Sequence, residues 1–168
     1  MPSIRQATSD EWREYRDIRL RALKTAPEAY GSTWADERSR DEVWWRERVA
    51  GAHNLVAWHD GRAVGTAVGI PDRHETGSRE IVAVWVEPEF RGSGLAQQLV
   101  MVLVEWAADA SADAIALWVS DGNDVARRVY ERCGFAATGE RDTLPNGHTE
   151  ARMRRALKRA PDAVKLAQ

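Results

Sequence analysis

A chain of 168 residues with a net charge of -2 and charges of both signs mixed along it is long enough to bury a core without disulfides or metal, and makes no electrostatic case for nucleic acid. The single cysteine, Cys133, has no partner for an internal disulfide and suits a reducing compartment; no apolar run reaches the ~18 residues of a bilayer span, and no cationic start with an apolar core marks a signal peptide. One cytoplasmic domain over residues 1–157, with a short tail over 158–168, is the expectation, with neither nucleic acid nor membrane as partner.

Residues 3–7 alternate weakly and read as a first strand. Thr8-x-x-Glu11 is a capping box, and Trp12, Tyr15, Ile18 and Ala22 then recur at helical spacing until Ala26-Pro27 ends the helix. Residues 41–50 read as a second, shorter helix. Residues 53–59 and 62–70 are strands around Asp60-Gly61, a two-residue hairpin signal, and residues 80–86 add a third strand after a turn at 71–78. The next helix starts at about Gly94, with an apolar face formed by Leu95, Leu99, Leu103, Trp106 and Ala110. Because that helix is a crossover, the strand at 114–119 must run parallel to the one at 80–86. A helix containing Tyr130 follows, with Asn123 placed to cap it, and residues 136–140 and 150–157 form a last hairpin across Pro145-Asn146-Gly147. The sum is a single α/β domain with a mixed antiparallel and parallel sheet and flanking helices.

The eight tryptophans are scattered over these elements, and most are expected in the core. Trp34, Trp44 and Trp45 are also candidates for lining a pocket. Cys133, beside Gly134-Phe135 at a helix end, reads as a small buried hydrophobe.

The chemistry concentrates after the third meander strand. Arg91-Gly92-Ser93-Gly94-Leu95-Ala96 joins that strand to a helix through a turn with two glycines. Such a turn lets backbone N–H groups converge, the helix adds the positive end of its dipole, and Arg91 adds a full charge, so the natural guest is a phosphate or pyrophosphate. A dinucleotide-binding turn fits less well, because Gln97 stands where a third glycine belongs and the preceding strands form hairpins. A Walker loop is excluded by the lack of Gly-Lys-Ser/Thr.

Arg91-x-x-Gly94-x-Ala96 and Asn123-x-x-Ala126-x-x-x-Tyr130-x-x-x-Gly134-Phe135, in this order and each after a strand, resemble the two signature motifs of the GNAT superfamily of N-acetyltransferases. The resemblance covers most of the chain. It implies acetyl-coenzyme A as co-substrate, with the pyrophosphate on Arg91, Gly92, Ser93, Gly94, Leu95 and Ala96. It also implies that backbone groups of Val84, Trp85 and Val86 bond the pantetheine arm, that Asn123 and Tyr130 face the pantetheine cleft, and that Tyr130 lies beside the thioester sulfur.

A phenol with a pKa of about 10 keeps its proton at neutral pH and can protonate a departing thiolate, so Tyr130 is the candidate general acid. Glu80, at the start of the strand leading to the cradle, is the candidate base, with a water chain as the alternative. The acceptor pocket is expected from residues 28–41 and 141–149, where Glu28, Asp36, Glu37 and Asp41 are either cation-attracting groups or a solvated face. His148 is either a turn residue or a ligand. The resemblance implies acetyl transfer to a primary amine of a small molecule by direct attack on the thioester. A protein or peptide acceptor, and a catalytically silent coenzyme A-binding module, remain as alternatives. No metal is expected, and a homodimer stays open.

Overall fold

The computed structural model describes residues 1–157; the expected tail, 158–168, lies outside the described residues. The chain runs β1 (Ser3–Gln6), α1 (Trp12–Thr25), α2 (Trp34–Arg38), α3 (Glu42–Ala50), β2 (His53–His59), β3 (Arg62–Pro71), β4 (Arg79–Val86), α4 (Leu95–Asp109), β5 (Ala114–Ser120), α5 (Asp124–Arg132), β6 (Ala136–Thr143) and β7 (Thr149–Ala156). All strands join one seven-stranded sheet in the order β1-β2-β3-β4-β5-β7-β6. Every pairing is antiparallel except that of β4 with β5, as the helical crossover requires.

Local chemistry sets the element ends. The Thr8 amide donates to the Glu11 carboxylate at 2.9 Å, opening a 3₁₀ turn that runs into α1. Arg5 clasps the same carboxylate with both Nη atoms and pulls its pKa down to about 2. Asp60 and Gly61 both take left-handed backbone, φ 49° and 75°, the conformation that turns a two-residue hairpin with the strands' own twist.

Helix α4 buries Leu99 and Leu103 against Leu55, Ile81, Ile115 and Leu117, while α1 and α3 bring Tyr15, Ile18, Trp45 and Val49 to Val56 and Trp85. Neighbours on one strand, Leu55 and Val56, thus serve opposite faces, giving helices on both sides of the sheet. Helix α2 has no counterpart in the sequence reading. Its five residues are held by a tertiary contact: Arg19 of α1 meets buried Glu37 through two bonds of 3.0 and 2.8 Å, which no local periodicity foretells. No helix among the described residues is long and apolar enough to cross a membrane.

Trp106 of α4 lies flat on β3. A Cβ added at Gly69 would stand 2.5 Å from its ring, and that ring is already stacked on His53 with centroids 4.8 Å apart. Gly69→Ala is expected to lower the unfolding free energy by about 1–3 kcal/mol, since the ring must leave its stack on His53 to make room. A urea titration checks this: a lowered midpoint with an unchanged m-value is the expected result, and a wild-type midpoint would show that the contact relaxes without cost.

The site owes its position to a short ladder. Strands β4 and β5 pair only through Arg79, Glu80 and Ile81 with Ile115, Ala116 and Leu117. Beyond Val82 the pairing of β3 with β4 slips register, and Ala83 sits in left-handed backbone at φ 55°. The bulge bends β4 away from β5, and the two strands part to leave a cleft between their carboxyl ends.

Candidate active site

The cleft has a volume of about 920 Å³ and is walled by the end of β4, the glycine turn, and the first turns of α4 and α5. Of the residues expected to hold the co-substrate, Val84, Trp85, Val86, Arg91, Gly92, Gly94, Leu95, Ala96, Asn123 and Tyr130 line it. Ser93 does not; its Oγ donates to the Phe90 carbonyl at 2.5 Å and ties the turn together. Because the β4–β5 ladder stops at Ile81, the outer half of β4 turns its β5-side edge toward the cleft, where an extended chain carrying amides could add as a strand.

The glycine turn presents bare backbone to the cleft. Gly92 and Gly94 hold φ of 77° and 86°, conformations that other residues adopt at a cost. A Cβ at either position would meet nothing within 4 Å, so the backbone there is bare. Gly94 is the N-cap of α4, and no side chain caps that helix end, leaving its first N–H groups to whatever enters the cleft. Arg91 is anchored by its Nε on the Val86 carbonyl at 3.0 Å, which stations its guanidinium at the junction of strand and turn.

A smaller cavity of about 90 Å³ adjoins the cleft where β4 and β5 part, and Ala29, Tyr30, Ala83, Trp118, Ser120, Asn123, Tyr130 and Glu150 are among its walls. Tyr130 and Asn123 line both spaces. Asn123 caps α5, its Oδ1 accepting from the Ala126 amide at 3.2 Å. That cap fixes the helix so that Tyr130, two turns on, is buried with its ring edge-on to Phe135 at 6.4 Å. Burial, with a smaller effect of nearby Tyr30, pushes the Tyr130 phenol well above its ordinary pKa.

Tyr30, which the sequence reading did not single out, reaches the cavity because a 3₁₀ turn at Pro27–Ala29 folds the chain back after α1. Burial pushes its phenol up to about 12, with the Arg19 guanidinium 4.7 Å over its ring opposing that rise.

The two strand carboxylates part company. Glu80 is fully buried and lines neither space; Arg73 grips it through Nε at 2.9 Å and Nη2 at 2.6 Å. Glu150 on β7, opposite Ser120, stands in the cavity wall instead. Burial, then the negative charge of Asp142, raises its pKa. The missed signal was register: a glutamate on the strand that pairs with the end of β5 must lie at the mouth of the parted strands.

The acceptor loops contribute less than expected. Glu37 is consumed by Arg19, Asp41 caps α3 by accepting from the Trp44 amide at 2.9 Å, and Asp36 is exposed. Only Glu28 of that acidic group lines the cleft. His148 is a turn residue, its amide donating to Asn146 Oδ1 at 3.0 Å.

None of the three reserved tryptophans lines either space. Trp45 is fully buried and meets Trp44 edge-on at 4.8 Å, while Trp34 lies beneath Lys24 and Arg38. Trp45 belongs to the α1–α3 core and Trp44 packs against it, so the core takes that pair first. Cys133 is buried as expected, and burial raises its thiol pKa.

Residues 7–135 match the model of the acetyltransferase (GNAT) family, and the chain belongs to that family. It is 34% identical over 96 residues to an uncharacterized N-acetyltransferase of Mycobacterium tuberculosis, an alignment covering 57% of this chain and 60% of that one. It is 30% identical over 140 residues to the mycothiol acetyltransferase of Cellulomonas flavigena, covering 77% of this chain and 38% of the relative. The chain thus spans 60% and 38% of the lengths of these two relatives, less than two thirds of either. A Salmonella typhimurium protein solved with its cofactor acetyl-CoA has the same fold, with a TM-score of 0.74 at 21% identity over 97% of this chain and 99% of that one.

Proposed function

We propose that this protein is an acetyl-coenzyme A-dependent N-acetyltransferase acting on a primary amine of a small molecule. The observation that carries the reading is the placement of Tyr130 at the junction of the anion-cradling cleft and the small cavity. An arm running from the cradle along the open edge of β4 would end with its thioester beside that phenol. Acetyl-coenzyme A fits the chain's own groups: uncapped α4 N–H groups and Arg91 for the pyrophosphate, the β4 edge for the pantetheine amides. The bound co-substrate supplies an activated acyl carbon. Tyr130, kept protonated by its burial, supplies the proton that the leaving thiolate needs.

A small acceptor is favoured by the way the two acceptor loops meet. Asn146 Nδ2 of the β6–β7 loop donates to the Glu28 carbonyl at 3.3 Å, bridging the space through which an extended peptide would have to run. The remaining cavity, about 90 Å³, suits the amine-bearing end of a small molecule. A mycothiol acetyltransferase among the relatives points the same way. Thiol release from acetyl-coenzyme A across polyamines, amino acids, aminoglycosides, amino sugars and peptides tests the reading. Turnover confined to small amines is expected. Turnover of peptides alone would transfer the reading to a protein acceptor.

A further inference from the structure

The face of the sheet that α4 does not cover carries a patch of charge across β4, β7 and the β3–β4 turn, and one member of it enters the cavity. Glu150 lies opposite Ser120 on β5 and Asp142 on β6. Glu150 shares the cavity wall with Tyr130 and Tyr30. Behind it stand Glu80 on β4, locked by Arg73 of the turn, and His74 of the same turn. Asp121, at the end of β5, is occupied by Arg141 and Thr149. Among the carboxylates of this group, Glu150 alone borders the small cavity.

We infer that Glu150 is the general base that takes the proton from the acceptor ammonium, and that Glu80 with Arg73 is a positioning pair that sets when Glu150 can do so. The inference rests on the acetyl-transfer reading. An ammonium has no lone pair, so it must lose a proton before it attacks. The Glu150 carboxylate accepts that proton, and the freed amine forms a C–N bond to the acetyl carbon as the C–S bond breaks. The sulfur takes a proton from the Tyr130 phenol. The phenol is reloaded by the second proton that the nitrogen sheds, and Glu150 returns its proton to solvent. One ammonium and one thioester thus give one amide, one thiol and one proton.

The surroundings suit the role. Burial and the charges of Asp142 and Glu80 raise the Glu150 pKa, against Arg73 and His74, which lower it. A carboxylate whose pKa is raised toward the working pH is a stronger proton acceptor. Glu80, closed off by its ion pair and the cavity wall, acts on the reaction through its charge.

The test compares kcat/KM against pH for wild type, Glu150→Gln, Glu150→Asp and Glu80→Gln, together with a carbon-13 NMR titration of the glutamate carboxyls and calorimetry with coenzyme A. Glu150→Gln is expected to lower kcat/KM at neutral pH by about 10²–10³-fold and to erase the acidic limb, with coenzyme A affinity intact. Glu150→Asp should keep the limb at a reduced rate. In Glu80→Gln the limb should persist but move to lower pH, because a raising charge is removed and Arg73 is released to face Glu150; the Glu150 NMR titration should move with it. A Glu150→Gln enzyme with an unchanged limb, or a Glu80→Gln enzyme with none, overturns the base assignment while the acetyl-transfer reading stands. Failure of the wild type to bind coenzyme A overturns both.

Discussion

Replacing Gly94 by Asp is expected to weaken coenzyme A binding by about 10²–10³-fold. Two effects add. The left-handed backbone at this position, φ 86°, costs a residue with a Cβ roughly 1–2 kcal/mol. The new carboxylate would also project into open space, beside the uncapped α4 N–H groups that the pyrophosphate would use. Two like charges about 4 Å apart repel by about 4 kcal/mol at an effective dielectric constant of about 20, of which solvent removes part. Gly94→Ala separates the terms, since it keeps the strain and omits the charge, and should lose no more than about 30-fold. Calorimetry with coenzyme A on the three proteins reads both numbers. Equal affinity across them would move the phosphate site away from this turn.

Tyr130→Phe should lower kcat by about 10- to 1000-fold with coenzyme A affinity retained. The substitution preserves the ring that packs on Phe135 and removes only the hydroxyl, so the change reads as chemistry and not as unfolding. Burial holds the phenol protonated far above neutral pH; accordingly Tyr130 contributes no limb to a pH profile in the neutral range, and the variant should keep the wild-type profile at a lower plateau. Tyr30, the second phenol of the cavity, is the group that would account for a modest loss at the low end of that range. A Tyr130→Phe enzyme with full kcat would overturn the mechanism and leave the fold in place.

The cradle was legible because its signal is local. Arg91, Gly92 and Gly94 lie within four residues of one another between a strand and a helix, and it was their pairing with the Asn123–Tyr130 helix further on that made the turn specific. Asn123 and Tyr130 were legible for the same reason, being two turns apart on one helix behind a cap. The sheet order followed from hairpin turns and one crossover.

The acceptor side was not legible, because nothing local marks it. Glu80 and Glu150 are both strand glutamates, and what separates them is an arginine seven residues from the first and a sheet register that brings the second beside Ser120. Tyr30 arrives through the path of a loop. The tryptophans Trp34, Trp44 and Trp45 misled because large apolar side chains serve a core and a pocket equally well, and only packing decides between them. Helix α2 escaped because a buried Arg19–Glu37 pair, not propensity, holds its short span.

Incubation with acetyl-coenzyme A labelled with carbon-13 at the acetyl carbonyl, in the presence of the amine panel, tests the central claim most directly. Thiol and labelled product are followed together in wild type and in Tyr130→Phe. The account predicts one labelled amide for each thiol released by the wild type, with both signals falling together in the variant. Thiol released with labelled free acetate and no amide, or coenzyme A bound without turnover of any amine, would contradict it.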